Sequence, residues 1–243
     1  MMNNGKVVNE VLAALEREPR IDLHHYPIRV DYGDGVVTLE GETGNIAARK
    51  VALEVAASVP GVDGIVDRLR IVPAETMGDG AVRDHVCDGF IQEPAFREYT
   101  VRAFVKDAWE SVREAVPEQS GVIEIEVSDG VVTLNGRVGS LSHKRLAGVL
   151  AWWVPGSTDV VNGLEVDPPE EDNDDEVTDA VRLVLEKDPF VNASQIRVSC
   201  RDFVVTLEGL VPKPLEREMA EDDAWFVFRV DKVINKIAVV ELV

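Results

Sequence analysis

The chain has only two cysteines in 243 residues, and Cys87 and Cys200 fall in separate segments with no metal-ligand spacing around them. A disulfide-stapled scaffold is therefore excluded, and both read as free thiols of a reducing compartment. No apolar run approaches the roughly 18 residues of a membrane-spanning helix. The start, MMNNGKVVNE, passes straight into an amphipathic pattern without a basic region followed by an apolar one. A cytoplasmic location is expected from this, and a periplasmic one only if the start is truncated. Basic residues are scarce too, 25 Lys and Arg against 45 Asp and Glu, so no basic stripe offers itself to phosphates and nucleic acid is not an expected partner. Motifs for chemistry are missing as well. There is no G-x-S-x-G elbow and no phosphate-cradling G-x-x-x-x-G-K-[ST] or G-x-G-x-x-G loop. His24, His25, His85 and His143 are scattered, so neither an enzyme nor a metal or cofactor site is expected.

The net charge of −20 is concentrated. About half of it lies in two connectors, residues 73–100 and 168–176. The second contains DPPEEDNDDE (167–176), which reads as a solvated, extended acidic linker; it lacks the glycine and terminal glutamate of a calcium loop.

What is present in abundance is repetition. DGVVTLEG (34–41) recurs as DGVVTLNG (129–136) and RDFVVTLEG (201–209). Counted from Gly41, Gly136 and Gly209, the same residue types return at fixed offsets: Asp67, Asn162 and Asn235, then Leu69, Leu164 and Ile237. Internal duplication accounts for this.

Each motif alternates as a half-buried strand does, with Val37 and Leu39, Val132 and Leu134, and Val205 and Leu207 on the inner face. Asp34-Gly35 and Asp129-Gly130 fit a tight hairpin turn, whereas Asp202-Phe203 requires another turn type or strain. Helical spacing follows (Val51, Ala52, Val55, Ala56, Val59; Leu146, Ala147, Leu150, Ala151, Val154), ended by Pro-Gly and a further strand. A helix is predicted before each hairpin, over VVNEVLAALERE, VKDAWESVREAV (105–116) and EVTDAVRLVLEKD.

The expected fold class is therefore α/β (α+β): three tandem α-β-β-α-β domains, each a three-stranded mixed sheet with two helices on one face. The expected boundaries are 1–73, 101–167 and 176–243. Residues 168–175 form the acidic linker, and 74–100 a connector whose stretch 81–96 reads as an amphipathic helix, either added on domain two or belonging to a degenerate extra copy. The motif glycines are expected to let the chain turn toward helix two. Each copy should fold as a separate fragment.

The order α-β-β-α-β with D-G-V-V-T-L-x-G, V-P-G and a V-x-N-x-L ending resembles the BON domain, named for bacterial osmotically induced and nodulation proteins. The third copy departs from the pattern at Arg229 and Asp223, so its second helix is expected to be shifted or frayed. Membership implies a non-catalytic module that attaches to phospholipid or to a partner protein, under osmotic or envelope stress. A self-associating structural protein is the alternative.

Two sets of residues are candidates for contact. Trp152-Trp153 and Trp225-Phe226 stand where copy one has Ala57-Ser58, and two adjacent helical residues cannot both face the core. They read either as contact residues or as seals of their own sheet. Arg49-Lys50 and Lys144-Arg145 open helix two of the first two copies; they read either as wet helix faces or, given the resemblance, as headgroup contacts.

Overall fold

A computed structural model describes residues 4–115 and 121–240, which group into two compact units, 1–72 and 73–243. In the first unit, helix α1 (Asn4–Arg17) precedes strands β1 (Ile28–Gly33) and β2 (Val36–Thr43), helix α2 (Ile46–Ala57) and strand β3 (Gly64–Ile71). β1 and β2 pair antiparallel and β2 and β3 parallel, as a right-handed crossover through α2 allows. The alternation dictates the packing: Val37 and Leu39 are fully buried beneath Val7, Val11, Leu15, Val51 and Ala52.

The second unit holds the other two copies. It begins with α3 (Asp79–Gln92) and the hairpin β4 (Thr100–Val105) and β5 (Ala108–Arg113). β6 (Val122–Ser128), β7 (Val131–Val138), α4 (Leu141–Trp152), β8 (Asp159–Asn162) and β9 (Glu165–Val166) complete the middle copy. The third follows as α5 (Asp174–Lys187), β10 (Ile196–Arg201), β11 (Val204–Val211), α6 (Pro214–Phe226) and β12 (Lys232–Val239). Its sheet, β10-β11-β12, repeats the first; the middle one is widened to β5-β4-β6-β7-β8, with β9 also on β7.

The helix predicted over 105–116 is a correction. Residues 105–113 end β4 and form β5, joined at Lys106-Asp107, both with positive φ (48° and 64°); Val116 lies outside the described residues. The helical spacing of Val105, Trp109 and Val112 misleads because β5 is exposed on both faces, so its apolar residues record no burial. Helix one of the middle copy is α3, inside the stretch read as a connector, with Val82, Val86 and Phe90 in the core.

The motif glycines also have a different role from the one expected. Gly41, Gly136 and Gly209 sit within strands, opposite Ile28, Ile123 and Ile196. A Cβ on Gly41 would stand 2.5 Å from the Pro27 carbonyl oxygen, and at Gly136 and Gly209 it would strike those of Val122 and Gln195. They admit the neighbouring backbone rather than a turn.

The turn in the third copy has the geometry of the other two, with φ of 52° at Asp202 and 59° at Phe203, so it is strained rather than different. Asp174 holds it, accepting from the N–H groups of Asp202 (2.8 Å) and Phe203 (2.9 Å), as Asp79 does for Asp129 and Gly130. These two backbone bonds keep the Asp174 carboxyl below its usual range.

Candidate functional site

The conspicuous residues of copies two and three meet one another. Trp152 stacks on Phe226 with ring centroids 5.3 Å apart, and Trp153 Nε1 donates to Asp223 Oδ1 at 2.8 Å. Lys144 Nζ lies 4.7 Å from the centre of the Phe228 ring. Arg145, only 1 % exposed, donates to the Phe228 carbonyl and pairs with Asp172, which also faces Arg229 at 3.8 Å. Lys187 donates to both carboxylate oxygens of Glu93 at 3.0 Å, tying the end of α5 to that of α3. Trp225 is buried beside Ala224. The joint is thus α4 of the middle copy against α5 and α6 of the third.

This joint explains how the third copy departs from the repeat. Asp223 replaces the apolar residue of the other copies because Trp153 supplies a donor there. Phe228 and Arg229 replace Pro-Gly because one receives Lys144 and Arg145 and the other approaches Asp172. Arg229, at φ 71°, also lies 4.6 Å from the Phe203 ring, so the two strained residues pack together. Helix two is continuous from Pro214 to Phe226, neither shifted nor frayed.

The acidic tract is likewise built in rather than solvated throughout. Glu170 accepts from the Leu141 N–H at the start of α4, Asp172 is the partner of Arg145, and Asn173 caps α5. No set of three or more His, Cys, Asp or Glu side chains among the described residues is placed to hold a metal ion. Cys87 is pushed up to about 11 by burial, and Cys200 to about 12 by burial and its Asp174 contact, so both stay protonated thiols at neutral pH.

In the first unit the basic pair is also engaged. Arg49 makes bonds of 3.0 and 2.8 Å to Asp67, whose other oxygen accepts from the Leu69 N–H. Asn162 and Asn235 do the equivalent, donating to the Lys144 and Arg217 carbonyls while accepting from Leu164 and Ile237. The repeat residue at this offset is therefore a strut from strand to helix two. Lys50 is half-buried on α2 and has interactions of its own.

A different surface stands out that the sequence reading missed. Among the described residues the three most exposed large apolar side chains are Phe190 (72 %), Leu215 (62 %) and Leu210 (59 %), all in the third copy. The corresponding positions are Arg20, Ala47 and Glu42 in copy one and Ala95, Ser142 and Arg137 in copy two. In copy one Arg20 and Glu42 line a single depression of about 150 Å³ at the start of α2. In copy three Leu215 lies in the first turn of α6 and Phe190 in the loop before β10, while Leu210, next to the buried Val211 on β11, faces away from the helices. The Asn192 N–H donates to Glu216 Oε1 at 2.8 Å, fixing the Phe190 loop to that helix.

The two-helix, three-strand unit written three times defines the class. The BON domain model matches residues 4–73, 106–168 and 173–241, and the chain belongs to the BON domain family. It is 27% identical over 164 residues to Osmotically-inducible protein Y of Escherichia coli (strain K12), covering 68% of this chain and 73% of that one. Among solved structures it aligns with the C-terminal domain of CdsD, a structural protein of the Type III secretion system of Chlamydia trachomatis. That match is at 12% identity and a TM-score of 0.25, over 98% of this chain and 100% of that one. No helix among the described residues is long and apolar enough to cross a membrane.

Asp223 makes the joint pH-sensitive. Burial, with Asp188 and Asp222 nearby, pushes its carboxyl up to about 8 against the Trp153 N–H, which lowers it; Asp222 rises to about 7. The folded state therefore holds a proton that the unfolded state, at 3.8, releases. The stability this contributes is complete below about pH 4 and is lost as pH rises through about 8. In thermal melts Asp223→Asn, which still accepts from Trp153, should match the wild type at low pH and exceed it above pH 8. A constant gap across the range would contradict the assignment.

Proposed function

We propose that this protein is a non-catalytic binding module whose third copy docks on an apolar, phospholipid-like surface, and that it serves under osmotic or envelope stress. The observation that carries the reading is that Phe190, Leu210 and Leu215, the three most exposed large apolar side chains among the described residues, all lie in the third copy, where the other copies have polar or small residues. Large apolar side chains left this exposed mark contact surfaces. The net charge of −20 favours zwitterionic over anionic headgroups. The resemblance to BON modules and the name of the Escherichia coli relative support the setting. The alternative is a structural protein that self-associates through its repeats; the aromatic pairs are used within the chain, at the joint of copies two and three, and so are not its contact surface.

Co-sedimentation with phosphatidylcholine vesicles tests this. The wild type should bind, and Phe190→Ser with Leu215→Ser should reduce partitioning by at least about tenfold, since each side chain transfers about 1.5–3 kcal/mol when buried. Trp153→Ser should bind as the wild type does. Equal binding by the double variant would contradict the reading, and binding lost to a soluble protein competitor would point to a partner instead.

A further inference from the structure

The hairpin of β4 and β5 is an addition to the middle copy, and among the described residues β5 ends its sheet. Val105 and Ala108 face each other across the two-residue turn. They form the hydrogen-bonded pair that closes such a hairpin, so by alternation Trp109 and Ser111 direct their N–H and C=O groups outward. An open edge is normally blunted by charge. β1 carries Arg29 and Asp31, β3 Asp67, Arg68 and Arg70, β10 Arg197 and Arg201, and β12 Lys232 and Lys236. β5 has Glu110 at its centre, while Arg113 turns away to donate to the Tyr99 and Phe96 carbonyls. Trp109 and Val112 stand 44 % and 43 % exposed, Trp109 beside Phe104 with centroids 5.2 Å apart.

We infer that β5 is a docking edge for an extended segment of another protein, one that sets a Lys or Arg opposite Glu110 and apolar side chains on either side. A second copy fits less well. The two-fold antiparallel register that uses the outward groups of both Trp109 and Ser111 places Glu110 opposite Glu110, between two chains of charge −20. Registers centred on Trp109 or Ser111 avoid that repulsion but keep only one ring of hydrogen bonds, because the turn lies on one side and the irregularity after Ser111 on the other. A strand with a cation at the centre satisfies both the backbone and the carboxylate. This surface lies apart from the exposed apolar residues of the third copy and does not depend on lipid binding.

The test uses the full chain and two capped eight-residue peptides that alternate Val and Thr around a central Lys or a central Glu. The Lys peptide should slow amide exchange at Trp109 and Ser111 and bind about fivefold more tightly than the Glu peptide, the scale of a cross-strand charge pair. Ser111→Pro, which removes an outward N–H while leaving the β4 pairing intact, should abolish binding. Glu110→Lys should reverse the peptide preference, which tests the proposal even if the proline variant fails to fold. Unchanged exchange at both amides, equal affinity for the two peptides, or a Ser111→Pro-sensitive dimer in sedimentation would overturn it.

Discussion

Asp172→Ala should lower the stability of the 73–243 unit by about 3–5 kcal/mol in urea unfolding, because it strands the guanidinium of a fully buried arginine. Arg145 keeps only the Phe228 carbonyl and the more distant surroundings of the joint once its carboxylate is gone. Arg145→Met in the same chain removes the uncompensated charge and should recover most of the loss, since an apolar replacement of similar volume is tolerated where a broken pair is not. A surface ion pair would instead cost under about 1 kcal/mol on either substitution. Small losses in both variants would therefore mean that the acidic tract is a linker after all.

Leu134→Ala should cost about 2–5 kcal/mol, the range of a buried leucine that leaves a cavity behind. Leu134 is fully buried on β7 among Ile123, Ile125, Leu146 and Leu164. Thr133, one residue away on the opposite face, is half-buried, and Thr133→Ala should cost under about 1 kcal/mol. Because the side-chain period of a strand is two, equal losses at the two positions would mean that the register Ile125 to Leu134 is misassigned.

The hairpins, helix two and the third strand of each copy were legible because a strict period of two, joined in the first two copies by an Asp-Gly turn and a Pro-Gly stop, is a local signal that tertiary packing reinforced. Helix one of the middle copy was missed for a converse reason: Val105, Trp109 and Val112 fit a helical spacing, but Trp109 and Val112 lie on a strand exposed on both faces. A better signal was available. Glu18-Pro19, Glu93-Pro94 and Asp188-Pro189 follow helix one in every copy. In each, the acidic side chain accepts from the N–H two residues on, that of Arg20, Ala95 or Phe190. That repeat places helix one of copy two at α3 and exposes the hairpin as an insertion.

The aromatic and basic pairs were visible as anomalies, but their partners were not, since Trp153 and Asp223 are separated by 70 positions and pair only after both copies fold. Phe190 and Leu215 escaped notice because single exposed apolar residues carry no periodicity.

The aromatic residues Trp152, Trp153 and Phe226, with Lys144 and Arg145, form an internal joint between copies two and three. Native-state hydrogen exchange of the full chain in increasing urea tests it most directly, by comparing the amides of Leu134 and Leu207, one in each core. The account predicts that in the wild type both open with a common free energy, and that in Trp153→Ser they separate into two independent isotherms. Separate isotherms in the wild type, or a shared one that Trp153→Ser leaves unmoved, would contradict it.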